Sequence, residues 1–333
     1  MTIKNSRTPR TRAGFAFPRS ALASIALATI NCFPPVEVTP PPADAPAELL
    51  ALAGAAVLIG AGDIAVCGTS YDEATAKLVD SVSRADSVAG VAQAIFTVGD
   101  NWYPNGAKAY HDRCWVPSWG DTTKRIMKWL RPSLGNHDHA SGFADAYFEA
   151  FGKNAGEKGK GYYSYDLGAW QVIALNSEMV VNPAYSVESR RAQEEWLKKQ
   201  LADDNKKCTV AYFHRPLFSS GGHAGDLRMA SLWNILYEGD ADLVINGHDH
   251  HYERFEPQNP AGVRDTVRGI TQIIVGTGGA GLTGIRVPVQ ANSARRIQGH
   301  YGVLKLTLGG EEFQHAFLDT EGRIWDRAAG KCH

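Results

Sequence analysis

The chain has 333 residues, of which 44% are apolar and 21% are charged, and its formal net charge is -1. This length and composition are typical of a soluble protein with one large or two small α/β domains. A charge so close to zero provides no strong positive field, so we do not expect nucleic acid to be a general partner.

The first 32 residues have the pattern of an export signal. Basic side chains precede the apolar run Ala21–Ile30, which is too short to span a bilayer unaided. A disordered basic tail is the alternative. Cys32 follows the run directly, as in a bacterial lipoprotein whose cysteine carries the lipid, but Asn31 stands where that signal has a small residue. We therefore predict a periplasmic, cell-surface or secreted protein, with ordinary cleavage and a lipid anchor at Cys32 both open.

Residues 33–48 are rich in proline and lack periodicity, which predicts an extended tether. The folded domain is expected to span residues 49–333, and an exported domain can keep disulfides. The four cysteines of this domain allow three pairings, which the sequence does not decide. We favour Cys67–Cys114, because both follow strands that carry candidate ligands, and hence Cys208–Cys332. Free buried thiols are the alternative.

Within this domain, short apolar runs alternate with helical patterns. Ser70 and Glu73 have the spacing of a capping box at a helix start. Strand-helix alternation followed by strands predicts a mixed α/β (α+β) fold, a four-layer αββα sandwich of two mixed β-sheets flanked by helices. The expected strands cover residues 55–60, 94–98, 162–166, 171–175, 208–213, 241–246, 272–275, 302–308 and 312–318, and the expected helices cover 70–82, 122–130, 143–151, 189–201 and 227–237.

Five short strings that follow apolar runs carry side chains suited to metal binding. Because ligands gather at the carboxyl ends of strands in open α/β sheets, these strings can converge on one site. Carboxylates, an amide, imidazoles and a phenol suit two adjacent metal ions, one hard and one borderline, and thus two-metal hydrolysis of phosphate esters. Any one of them alone would be read as a cap, a turn or a loop residue. The candidates are Asp63, Asp100, Tyr103, Asn136, His137, His214, His248 and His250.

The individual residue types suggest distinct roles. The two oxygens of Asp100 can bridge two metal ions. A Tyr103 phenolate would be a hard, charged ligand for a trivalent ion such as Fe(III). His137 cannot easily bind the same ion as its neighbour Asn136, so it is better placed to face the substrate as a proton donor or phosphate clamp.

The remaining candidates carry weaker signals. Alternation along an extended segment would place His248 and His250 on one side. His223 lies in a glycine-containing loop and could reach the leaving group. Arg215 and Arg254 could contact phosphate, although structural ion pairs are favoured for both. A GxGxxG string at 276–281 lacks the following helix of a dinucleotide site.

All five strings stand in the order of one known family. With Asp63, Gly99-Asp100, Gly135-Asn136-His137, His214 and Gly247-His248-Asp249-His250, the chain resembles the calcineurin-like metallophosphoesterases over roughly residues 55–320. Most members have a histidine where this chain has Ala65. The purple acid phosphatase branch has instead a tyrosine at the position of Tyr103, so the chain looks like a member of that branch.

The resemblance implies two metal ions as cofactors. It implies Fe(III) bound by Asp63, Asp100, Tyr103 and His250, and Fe, Zn or Mn bound by Asp100, Asn136, His214 and His248. It also implies that His137 and His223 face the substrate. Plant members carry a second histidine where this chain has Ala224. The resemblance therefore does not extend to the specificity for the leaving group.

The expected activity is hydrolysis of a small phosphate monoester, with a metal-bound hydroxide attacking phosphorus in line. One alternative is a phosphodiesterase acting on nucleotides or lipid head groups. Another, from a different class, is a non-catalytic surface or binding protein on the same scaffold. Catalysis is favoured because no ligand position of the family pattern has been lost.

Overall fold

The structure, a computed structural model, describes residues 55–140, 142–203 and 208–333, and all of them belong to one compact unit. The predicted export signal, residues 1–32, and the tether, residues 33–48, lie outside the described residues. None of the helices within the described ranges combines the length and the apolar character that crossing a bilayer requires.

Within the described residues, thirteen strands form two mixed sheets, as predicted. The strands are β1 Ala56–Ala61, β2 Ala92–Val98, β3 Leu130–Ser133, β4 Tyr163–Leu167, β5 Trp170–Ala174, β6 Cys208–Tyr212, β7 Leu243–Asn246, β8 Tyr252–Phe255, β9 Thr271–Val275, β10 Ser293–Ile297, β11 Gly302–Leu308, β12 Glu312–Asp319 and β13 Ile324–Lys331. The six-stranded sheet has the order β13-β12-β11-β1-β2-β3, and the seven-stranded sheet has the order β10-β8-β9-β7-β6-β5-β4.

Eight α-helical segments connect and flank the strands within the described part of the chain. They are α1 Tyr71–Val88, α2 Lys108–Tyr110, α3 Ile126–Trp129, α4 Asn136–His139, α5 Asp145–Phe151, α6 Glu178–Val181, α7 Val187–Asp203 and α8 Ala230–Glu238. A π-helical turn, His111–Trp115, follows α2, and a 3₁₀ turn, Leu227–Met229, precedes α8. Helix α1 packs against the six-stranded sheet, and α7 packs against α8.

Alternating side chains of the central strand β6 show how the layers stack. Val210 and Tyr212 belong to the core shared with the six-stranded sheet, whereas Ala211 packs with residues of α7 and α8. Because successive residues of a strand point to opposite faces, one face of this sheet meets the other sheet and the opposite face meets helices. The Phe96 and Tyr212 rings, 5.7 Å apart, bridge the two sheets.

The prediction of a helix over 122–130 was wrong. The segment contains only the single turn α3, and its last residue begins the edge strand β3. Strand β3 contains Pro132, which an edge position tolerates because no neighbour requires its missing N–H. Strands β8, β10 and β13 were also missed. Ser70 does precede α1, but its hydroxyl makes no capping hydrogen bond.

Both favoured disulfides are present. Cys67 pairs with Cys114, with Cα atoms 4.8 Å apart, and Cys208 pairs with Cys332, with Cα atoms 5.4 Å apart. The second bridge joins the start of β6 to the residue that follows β13, so it covalently links the two sheets. The predicted framework of two bridges is therefore confirmed.

Candidate metal centre

The ends of five strands bring the candidate ligands to one place. In the six-stranded sheet, β1, β2 and β3 are parallel neighbours, and Asp63, Asp100 and Asn136 follow their carboxyl ends. In the seven-stranded sheet, β6 and β7 are parallel, and His214 and His248 follow their ends. The six-stranded sheet supplies oxygen ligand atoms, and the seven-stranded sheet supplies imidazole nitrogens.

The first group of ligand atoms surrounds the phenol of Tyr103. Its hydroxyl oxygen lies 3.1 Å from Asp63 Oδ1, 3.1 Å from Asp100 Oδ2 and 3.2 Å from His250 Nε2. His250 Nε2 is also 3.2 Å from Asp63 Oδ1. Two carboxylates, a phenol and an imidazole thus point at a common centre, which is a donor set for a hard cation.

The second group surrounds the imidazole of His214. Its Nε2 atom lies 3.1 Å from Asn136 Oδ1, 3.2 Å from His248 Nδ1 and 3.3 Å from Asp100 Oδ2. Asp100 Oδ2 is therefore within 3.3 Å of the central atom of both groups. A single carboxylate oxygen shared by two ligand sets is the arrangement that a bridging ligand requires.

In Asp63 and Asp100, one carboxylate oxygen accepts a backbone hydrogen bond and the other faces the candidate metal centre. Asp63 Oδ2 accepts a hydrogen bond of 2.9 Å from the backbone N–H of His248, which leaves Oδ1 for the first group. Asp100 Oδ1 accepts a hydrogen bond of 2.7 Å from the backbone N–H of His137, which leaves Oδ2 for both groups. These backbone bonds orient the carboxylates before any ligand binds.

Two histidines of these groups are oriented in the same manner. Nδ1 of His214 lies 2.8 Å from the carbonyl oxygen of Val98, and Nδ1 of His250 lies 2.7 Å from that of Gly281. A carbonyl accepts only, so each Nδ1 donates and each Nε2 is the nitrogen that faces the centre. The backbone therefore selects the imidazole tautomer that suits a metal ligand.

Left-handed backbone accompanies the ligands. Asp63, Asp100 and His248 have φ values of 60°, 52° and 69°, which are uncommon for residues with a side chain. Such residues persist where the surrounding structure holds them, and they cluster at functional sites. These three residues lie in the tight turns that directly follow the strands.

The electrostatics of the cluster favour bound positive charge. Burial alone lowers the pKa of His214, but the neighbouring Asp100 carboxylate more than offsets this and raises it to about 10. Burial likewise lowers the pKa of His250, and Asp63 raises it to about 9. Burial and the Asp100 and Asp63 carboxylates raise the pKa of Tyr103 well above its usual value. The buried oxygens therefore attract cations strongly, so these residues fit a metal centre.

The two histidines expected to face the substrate flank this cluster. Nδ1 of His137 lies 2.5 Å from the carbonyl oxygen of Pro104, and its Nε2 lies 4.0 Å from Asp100 Oδ2. The ring of His223 is exposed and centred 4.7 Å from that of His248. Both rings thus lie on the accessible side of the ligand groups.

The expectation that His248 and His250 lie on one side of an extended segment was only partly right. The segment that carries them bends sharply and is not extended. Both rings nevertheless reach the cluster, and His251 turns away into the core, where its Nε2 lies 3.1 Å from Glu253 Oε2.

Arg254 and Arg215, the two candidates for phosphate contact, differ in their distance from the candidate ligands. Arg254 donates to Asp326 at 2.8 Å, as a structural ion pair. Arg215 forms an ion pair of 2.7 Å with the buried Glu178 and also places Nη1 3.1 Å from His248 Nε2. Both arginines thus form structural ion pairs, as favoured, and Arg215 also lies directly beside the candidate ligands.

Supporting residues within the motif strings were missed. The buried Asp138 accepts hydrogen bonds from the backbone N–H of Gly135 at 2.8 Å and from the side chain of Asn101 at 3.0 Å. It thereby joins the loops after β2 and β3. An acidic residue directly after Asn136-His137 was the available signal, because a buried carboxylate requires hydrogen-bond donors.

Three comparisons relate this chain to known proteins. The family model described as calcineurin-like phosphoesterase matches residues 52–252. Human acid phosphatase type 7 is 28% identical over 282 residues, which cover 73% of this chain and 62% of that protein. The uncharacterized protein Rv2577 of Mycobacterium tuberculosis is 25% identical, over 66% of this chain and 44% of its own length. The chain therefore spans less than two thirds of the length of these curated relatives.

A solved structure supports the fold. The purple acid phosphatase of yellow lupin (Lupinus luteus) seeds superposes with a TM-score of 0.68 at 18% identity, over 83% of this chain and 54% of that chain. The matched fold has the same architecture of two mixed sheets with helices. By its motifs, its fold and the match over residues 52–252, this chain belongs to the calcineurin-like phosphoesterase family.

Proposed function

We propose that this chain hydrolyses phosphate monoesters with a centre of two metal ions. The observation that carries the proposal is the position of Asp100 Oδ2, which lies 3.1 Å from the Tyr103 hydroxyl and 3.3 Å from His214 Nε2. One oxygen between two complete ligand sets is difficult to explain as a structural hydrogen-bond network alone, because it places acceptors and imidazoles around two centres.

The donor sets support a proposed identity for each ion. Asp63, Asp100, Tyr103 and His250 would hold Fe(III), because a phenolate is a hard, charged ligand. Asp100, Asn136, His214 and His248 would hold Fe, Zn or Mn. When bound, such a pair supplies a nucleophilic water of lowered pKa and positive charge beside the phosphoryl oxygens.

The protein's own groups would act on the substrate from the exposed side. The Pro104 carbonyl accepts a hydrogen bond from Nδ1 of His137 and so orients the ring, and Nε2 of the doubly protonated ring would donate to a phosphoryl oxygen. His223, beside the ring of His248, would donate a proton to the leaving alcohol. Poor leaving groups should depend on this proton more strongly than p-nitrophenolate does.

The test compares Asp100→Ala with Asp112→Ala. The second variant removes an exposed carboxylate that belongs to neither ligand group. We expect Asp100→Ala to lose bound metal, measured by elemental analysis, together with activity, and Asp112→Ala to keep both. Full activity in Asp100→Ala would refute the proposal. Monoester and diester substrates assayed in parallel separate a phosphatase from a phosphodiesterase, and no turnover of either would favour a non-catalytic scaffold.

The iron assignment has its own test. A tyrosinate bound to Fe(III) absorbs visible light, so the purified protein should be coloured and Tyr103→Phe should be colourless with the other ligands intact. Active, colourless wild-type protein that contains only zinc or manganese would exclude iron at the Tyr103 site.

We also propose that the chain is exported and that its substrate is a small phosphate ester. Two disulfides, Cys67–Cys114 and Cys208–Cys332, support an oxidising compartment. Globomycin, which blocks lipoprotein signal cleavage, distinguishes a lipid anchor at Cys32 from ordinary release.

A further inference from the structure

Two adjoining cavities extend from the candidate metal centre across the surface. One, of about 340 Å³, is lined by Asn136, Glu178 and Arg215 and also by Arg228. The other, of about 330 Å³, is lined by Arg190, Arg191, Glu194 and again Arg228. Arg228 lines both cavities, and we call this pair of neighbouring cavities, from Asn136 to α7, the depression.

The lining of this depression is rich in arginine. Within the described residues, its charged lining consists of the four arginines and the two glutamates. Glu178 is buried and forms an ion pair with Arg215. Burial lowers the pKa of His139, which also lines the first cavity, so that side chain adds no charge near neutral pH.

Two of the arginines are held in fixed orientations. Arg215 donates from Nε to Glu178 Oε1 at 2.7 Å and from Nη2 to Oε2 at 3.4 Å. Arg228 donates from Nε to Asp226 Oδ1 at 2.8 Å and from Nη2 to Oδ2 at 2.6 Å. A carboxylate that engages the Nε edge leaves the Nη1 edge of each guanidinium for another acceptor, with the geometry already set.

The Nη1 group of Arg215 faces an unsuitable partner once His248 serves as a ligand. A neutral imidazole that binds through Nδ1 carries its proton on Nε2, and a guanidinium can only donate. The 3.1 Å contact between Arg215 Nη1 and His248 Nε2 then joins two donors. An anionic acceptor from the substrate would resolve this conflict.

We propose that this depression is an anion subsite for the leaving group, which selects phosphate esters that carry a second phosphate or carboxylate. The inference rests on the proposed function, since the reacting phosphate would lie at the metal centre. Arg215 would lie between the reacting phosphate and the second anionic group, and Arg228, Arg190 and Arg191 would contact the second group.

The experiment uses two substrates that differ only in the second phosphate, propyl phosphate and propane-1,3-diyl bisphosphate. For Arg228→Gln, we expect the ratio of kcat/KM for the bisphosphate to kcat/KM for propyl phosphate to fall about tenfold, as for the loss of one charge-assisted hydrogen bond. Arg191→Gln should lower the ratio in the same direction. Arg323→Gln removes an exposed cation paired with Asp319, away from this depression, and should leave the ratio unchanged.

A binding measurement separates this inference from the chemistry. Calorimetric titration with the non-hydrolysable propane-1,3-bisphosphonate and propylphosphonate should show the same tenfold loss of preference in Arg228→Gln. An unchanged ratio in Arg228→Gln and Arg191→Gln, or an equal fall in Arg323→Gln, would overturn the subsite even if wild-type protein hydrolyses both esters. Failure of wild-type protein to hydrolyse either ester would instead refute the proposed function.

Discussion

A methyl group added at Gly99 would test how tightly the strand ends are packed around the ligands. Gly99 lies between β2 and Asp100 and has a φ of 84°. A Cβ atom there would lie 2.7 Å from Nδ1 of His214 and 2.8 Å from the backbone nitrogen of Gly135. Neither neighbour can yield easily, because the first is hydrogen-bonded to Val98 and the second is backbone.

The expected cost has two parts. The left-handed conformation costs a residue with a side chain about 1–2 kcal/mol. Overpacking a close-packed site costs about 1–3 kcal/mol more. Gly322 is a matched control, since its φ is 80° and a Cβ there would meet nothing within 4 Å. The difference between Gly99→Ala and Gly322→Ala therefore isolates the second part.

Denaturant unfolding and metal analysis of both variants provide the assay. We expect Gly99→Ala to be less stable than Gly322→Ala by about 1–3 kcal/mol. We also expect it to bind less of the second metal, because relief of the clash displaces His214. Equal stability and equal metal content in the two variants would refute the reasoning that the site is close-packed at this point.

Three further predictions concern other parts of the molecule. Burial would raise the pKa of Asp326, but the adjacent His315 and the Arg254 guanidinium hold that pKa well below its usual range. Asp326→Asn should therefore lower the unfolding free energy by about 2–4 kcal/mol at pH 7. The difference in unfolding free energy between variant and wild type should shrink below about pH 4, because the carboxylate contributes this stability only while it is ionised. Replacing both Cys208 and Cys332 by serine opens a loop with a sequence separation of 124 and should cost about 3–5 kcal/mol, whereas an unchanged denaturant midpoint would contradict this. Asp249 accepts a hydrogen bond of 2.7 Å from the backbone N–H of His223, the residue proposed to protonate the leaving group, so Asp249→Ala should slow alkyl phosphates at least tenfold more than p-nitrophenyl phosphate. Equal slowing of the two substrates would contradict this.

The central strands were predictable because burial on both faces gives them continuous apolar runs. Strands β1, β2, β6 and β7 are almost wholly buried. The missed strands lack this signal. Strand β10 reads SARRI and β13 reads IWDRAAGK, and both lie at sheet edges, where polar side chains are compatible with pairing.

The grouping of the candidate ligands followed from the rule that strand ends converge, but their orientation did not. The hydrogen bond from the His248 backbone to Asp63 joins residues 185 positions apart. Glu178, which holds Arg215, lies on the short helix α6, far from every motif string in the sequence. Such contacts depend on the assembled fold, so no local pattern could have indicated them.

The division of ligand atoms between the two sheets has a thermodynamic consequence. Each donor set combines oxygens from the six-stranded sheet with imidazoles from the seven-stranded sheet, so neither sheet alone could hold either ion. Separation of the sheets would therefore take both donor sets apart, and cations that bind only the assembled form would stabilise it by mass action, by about 4 kcal/mol at a thousandfold excess over Kd. If the proposed function holds, metal occupancy of the candidate centre and cohesion of the two sheets are a single linked equilibrium.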